Sequence, residues 1–119
     1  MDDLFYILAI VWAAVLGVSV AASVIFDKIL RRLYRTAHDV WVEIDRPSGF
    51  FWWPRDTSSC GYGMAVNWRV YLDLQGKAPA WITADADLTR WHRAFVILTR
   101  IMWGGVVVFL LLIVTAMFL

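Results

Sequence analysis

The side chains best suited to chemistry in this chain are two histidines, His38 and His92, and the run Ser58-Ser59-Cys60. Two histidines can ligate a haem iron. Helical rise places each roughly 13 to 18 Å beyond the membrane edge of its own helix, so their heights match. Matched height is all they offer. Both stand beside Arg and Asp, and no small-residue pocket accompanies them. The expected reading is a pair of surface histidines, with a haem-carrying electron-transfer subunit as the alternative. In Ser58-Ser59-Cys60-Gly61-Tyr62-Gly63, a nucleophile elbow would need Gly two residues before the nucleophile, and Ser58 occupies that position. A flexible loop is expected there. Cys60 is the sole cysteine, so no intrachain disulfide can form. One Cys and two dispersed His do not make a zinc pattern. No glycine fingerprint or phosphate loop follows a strand. The residues predict no catalytic set, no cofactor, no metal and no small-molecule substrate.

What organises the chain is a division of charge. All eleven Lys and Arg residues lie between Lys28 and Arg100, while Leu4–Phe26 and Ile101–Leu119 carry no charged residue. A membrane span needs about 20 apolar residues, and both runs meet that length. The loop between them, residues 27–100, is small for a self-sufficient core. One membrane unit over residues 1–119 is therefore expected. A signal peptide would begin with basic residues. This chain begins Met1-Asp2-Asp3, so the first run is expected to stay as an anchor. Cations near span ends remain on the cytoplasmic side. Lys28, Arg31, Arg32 and Arg35 follow the first run, and Arg90, Arg93 and Arg100 precede the second. That bias predicts a bacterial inner-membrane protein with a cytoplasmic loop and both termini periplasmic. The basic residues share the loop with eight of the ten acids, so they do not form the concentrated stripe that nucleic acid requires. They suit topology and contact with anionic lipid.

The elements follow from periodicity. Apolar residues at 29, 30, 33, 34, 37, 40 and 41 keep helical spacing beyond the first run, predicting one helix from about Asp3 to about Glu43. Pro47-Ser48-Gly49 breaks the chain. Phe50, Phe51, Trp52 and Trp53 follow, and such rings serve equally as anchors at the headgroup level or as core for the loop. Arg55–Gly63 reads as a flexible loop and Met64–Leu74 as a short helix, with a strand at 70–72 as the competitor. Thr83 reads as the next helix N-cap, with Asp85 and Asp87 complementing the dipole. Leu88, Trp91, Phe95, Leu98 and Met102 form a 3-4-3-4 seam entering the second run, with Arg90, Arg93, Thr99 and Arg100 mostly off it. The predicted fold is an all-α membrane protein, a two-span transmembrane helical hairpin whose long helices extend into the cytoplasm.

Ala9, Ala13, Gly17 and Ala21 recur every four residues in the first run, and Gly104-Gly105 opens the second. Small residues let helix backbones approach closely in lipid. Gly104 and Gly105 can meet only the loop-proximal end of that stripe, which leaves the remainder for another chain. Neither run contains an ionisable residue, which disfavours a transport pathway within one chain.

The stretch from His38 through Glu43 and Pro47 to Phe51, together with Arg90-Trp91-His92-Arg93-Ala94-Phe95-Val96-Ile97-Leu98-Thr99 and the later Gly104-Gly105-Val106-Val107-Val108, resembles the universal stress protein B family of small two-span inner-membrane proteins. The chain departs from that pattern over residues 61–79. The resemblance implies stress and stationary-phase physiology and carries over no reaction, cofactor or catalytic residue.

The sequence thus predicts a non-catalytic accessory protein that packs against a larger integral membrane complex, such as a respiratory or photosynthetic one. The alternative is a self-associating stress protein acting on the envelope through lipid contact.

Overall fold

The computed structural model describes residues 2–57 and 60–118, and of residues 60–63 the backbone alone. The described residues form helices and no strand: α1 (Asp2–Thr36), α2 (His38–Glu43), α3 (Cys60–Asp73), α4 (Ala80–Thr83) and α5 (Ala86–Phe118). α1 and α5 are both long and apolar enough to cross a membrane. At 1.5 Å per residue each runs about 50 Å, well beyond a ~30 Å hydrocarbon core. The molecule measures 55 × 31 × 18 Å, so these two helices set its long dimension.

α1 and α5 lie side by side in opposite directions. The order of their contacts fixes this: Trp12 stacks near Phe109 at 5.3 Å, Phe26 meets Phe95 at 5.9 Å, and Arg32 pairs with Asp85 at 2.9 Å. α1 opens with Asp2 and Asp3 in its first turn and ends with Arg35 in its last, each sign matching the helix dipole.

The single helix expected to reach Glu43 is interrupted at Ala37, where φ is −144° and ψ is 64°. Side chains reach two of the carbonyls of the last α1 turn, those of Arg32 and Tyr34. The Thr36 hydroxyl donates to the Arg32 carbonyl at 2.7 Å, and the His38 ring lies 3.3 Å from the Tyr34 carbonyl. Such local bonds compete with the helix ladder. The bend that follows buries Trp41 completely. Its indole N–H donates to the Pro47 carbonyl at 2.9 Å, and its ring meets Tyr34 edge-on.

α3 begins four residues earlier than the Met64 start that periodicity suggested. Gly61 and Gly63 raise the cost of a helix without forbidding it, and no proline intervenes. Val66, Val70 and Leu74 are buried at i, i+4 and i+8, which settles the helix over the strand at 70–72.

Thr83 does not cap α5. It closes α4, and its hydroxyl is spent on the Ala80 carbonyl. The cap is Asp85, whose Oδ1 accepts the N–H of Asp87 at 2.9 Å and of Leu88 at 3.1 Å. Both residues are competent caps. Asp85 immediately precedes α5 and also accepts from Arg32 at 2.9 Å, whereas Thr83 belongs to α4.

The core gathers Phe26, Ile29 and Leu30 from α1, Val66, Val70, Tyr71 and Leu74 from α3, Ile82 from α4, and Leu88 and Phe95 from α5. Tyr71 sits at its centre, edge-on to Phe26 and Phe95, each at 5.2 Å. Pairs of this geometry add about 0.5–1.5 kcal/mol beyond their area.

Candidate functional site

The seam on α5 is where periodicity placed it: Leu88, Phe95 and Met102 are buried, with Trp91 and Leu98 packed at the margin of the core. Two of its neighbours differ from expectation. Thr99, one turn past Phe95, is buried, and its hydroxyl returns to the Val96 carbonyl at 3.0 Å. His92 is also buried, four residues after Leu88, and its Nε2 lies 2.8 Å from the Leu74 carbonyl. That carbonyl follows the last residue of α3, where a helix leaves its C=O groups without intrahelical partners. His92 therefore ties α5 to the end of α3 and is not a surface residue. His38 is exposed, 3.5 Å from the Asp56 carboxylate and edge-on to Tyr34. The two rings belong to separate contact networks, and His92 Nε2 is already engaged. No group of three or more His, Cys, Asp or Glu side chains converges as a metal site among the described residues. The Ser58–Gly63 run lies outside the residues whose side chains are described.

The four-aromatic run divides by alternation. Phe50 points inward, 5.7 Å from Phe26 and 5.4 Å from Tyr71, and Trp52 packs edge-on against Tyr34 at 5.4 Å. Phe51 and Trp53 point outward, 67% and 50% exposed. Phe50 and Trp52 thus serve as loop core, while Phe51 and Trp53 stay exposed.

That alternation is fixed by a residue the sequence reading passed over. Asp27, one residue beyond the uncharged run, is buried and accepts the N–H of Phe50 and of Phe51, each at 2.7 Å. Burial pushes its carboxyl above the usual carboxylate range, against the pull of those bonds and of the Arg31 charge. Gly49 lies so close that a Cβ there would overlap the Asp27 carboxylate. Asp27 reads from sequence as one more polar residue in a charged junction. The detectable signal is a Gly just before the aromatic run, at a turn that needs its N–H groups satisfied.

The small-residue stripe faces outward. Ala9, Ala13, Gly17 and Ala21 are all exposed, and a Cβ on Gly17 would meet nothing within 4 Å. α1 turns a different face to α5, with Val15 and Ala22 buried on it. The two glycines of α5 also differ. Gly104 is exposed and open, whereas a Cβ on Gly105 would come 2.6 Å from Val15 Cγ2. Gly105 is the point of close approach between α1 and α5, and it meets Val15 instead of the stripe.

The basic residues divide into exposed ones and ones paired with acids. Lys28, Arg31, Arg35, Arg93 and Arg100 are exposed. Arg32 is held at 2.9 Å from Asp85 and 3.4 Å from Asp87, with its guanidinium 5.9 Å from the Trp91 ring centre. Its bond holds the Asp85 carboxyl below the usual range. Arg90 pairs with Asp87 at 3.1 Å.

Compared with protein-family models, curated proteins and solved structures, the chain matches none.

Proposed function

We propose that this chain is a two-span protein of a bacterial inner membrane, with its loop cytoplasmic, and that it serves as a non-catalytic accessory subunit packing against an integral membrane partner. The observation that carries the reading is the outward stripe Ala9, Ala13, Gly17 and Ala21 on α1, left uncovered while α5 occupies another face. In lipid a face of small residues gains from close backbone contact with a neighbouring helix. The uncharged runs of α1 and α5 support the membrane setting, and the position of every Lys and Arg between them supports the orientation. Purification in mild detergent followed by native mass analysis tests the reading. A defined complex with another membrane protein is expected; migration solely as a free monomer overturns it.

Self-association is the second reading. The same stripe can pair with itself about a two-fold axis, which suits the resemblance to the universal stress protein B family. Homo-oligomers that survive dilution in detergent would favour it over a foreign partner.

A further inference from the structure

We infer that the junction of α1 with the aromatic loop is a binding site for the phosphate headgroup of an anionic glycerophospholipid. A surface cavity of about 190 Å³ opens there, lined by Val24, Asp27, Lys28 and Arg31 of α1 and by Phe51 and Trp52 of the loop. Val24, Lys28 and Arg31 fall at i, i+4 and i+7, so they share one helix face. Both cations are exposed, and neither donates a side-chain hydrogen bond or forms an ion pair among the described residues. Arg32 and Arg90, by contrast, are committed to Asp85 and Asp87. Asp27 offsets one of the two cations at most, and its oxygens accept the Phe50 and Phe51 N–H groups. Lys28 and Arg31 thus retain donors for an anion.

The surroundings select an amphiphile over a free ion. Toward the apolar run, Val24 and Val20 are 43% and 53% exposed, and Phe51 is 67% exposed on the other wall. An acyl chain laid along the two valines would place its headgroup level with Lys28 and Arg31. The site is preformed, because Asp27 and Gly49 hold the Phe51 backbone in place.

The inference rests on the membrane reading, and the experiment separates the two. The full chain is reconstituted in nanodiscs of phosphatidylcholine containing a minority of phosphatidylglycerol, then released for native mass analysis. The wild type is expected to retain phosphatidylglycerol in preference to phosphatidylcholine. The double variant Lys28→Gln/Arg31→Gln should lose that preference by roughly thirtyfold, the scale of two cations near an anionic surface. Arg35→Gln/Arg93→Gln, which removes two exposed cations outside the cavity, should retain it. Circular dichroism checks that both variants fold. Equal loss in both double variants would mean diffuse attraction and would overturn the site, as would full retention in Lys28→Gln/Arg31→Gln. Displacement of the lipid by millimolar inorganic phosphate would overturn the choice of a lipid over a free anion. Failure of the chain to enter nanodiscs at all would instead remove the membrane reading.

Discussion

The two ends of the α1–α5 pair are built differently. At the polar end, between Phe26 and Met102, rings from α1, α3, α5 and the loop interlock around Tyr71, and the hydrogen bonds of Asp27, Asp85 and His92 fix loop and helix ends. In the uncharged ends, α1 and α5 meet through Trp12 with Phe109 and Val15 with Gly105, and many of the remaining side chains are exposed. Of the buried apolar residues, Val15 alone comes from the first twenty positions. The apolar end leaves apolar faces exposed, and the proposed role covers them with lipid or another helix.

The difference can be broken most severely at the ring cluster. Phe95→Ala removes a fully buried ring that touches both Phe26 and Tyr71, and should destabilise the polar end by about 3–5 kcal/mol. Val107→Ala, on an exposed apolar face, should stay within about 0.5 kcal/mol. Chemical denaturation in detergent, followed by tryptophan fluorescence, measures both; equal effects would erase the distinction.

Gly49→Ala and Gly105→Ala probe the two ends with the same added methyl. At Gly49 the new Cβ displaces Asp27 from its two N–H partners, and about 1–3 kcal/mol should be lost through overpacking and unpaired groups. At Gly105 the Cβ meets Val15, whose branched side chain has essentially one rotamer in a helix, so α1 and α5 must separate. A loss at the lower end of about 1–3 kcal/mol is expected there. Gly17→Ala, with open space around its Cβ, is the control and should not destabilise the isolated chain. Thermal unfolding of the three variants ranks them.

The smallest effect concerns pH. The Asp85 carboxyl is lowered by Arg32, so its contribution to stability is complete above the unfolded value of about 4 and is lost as pH falls through the lowered native value. Asp27 is raised by burial, so its effect has the opposite sign: it favours the fold below about 4 and weakens it as pH rises through the raised native value. Carboxyl carbon NMR should therefore show Asp85 titrating below Asp27. The reverse order would contradict the packing assigned to both.

How much could be read beforehand follows the same division. The uncharged runs, the α5 seam and the inward or outward choice of each strongly periodic residue depend on spacing within one helix, and spacing is visible in the sequence. The break at Ala37, the choice of Asp85 over Thr83 and the burial of His92 were not visible. The last two depend on partners far along the chain, Arg32 for Asp85 and Leu74 for His92, while the break turns on local side-chain bonds at Thr36 and His38. The stripe on α1 was legible as a pattern. That it faces away from α5 was not, because Val15 and Ala22 offer α5 an equally periodic apolar face.

The central claim is that this outward face of α1 holds a membrane partner. The most direct measurement is native mass analysis of wild type and Gly17→Leu, purified side by side in mild detergent. Wild type should carry an additional protein in fixed stoichiometry, and Gly17→Leu should lose it while unfolding at the same temperature as the isolated wild-type chain, since no neighbour lies within 4 Å of its Cβ. A wild type found only as a free monomer, or a Gly17→Leu variant that keeps the partner in full, would contradict it.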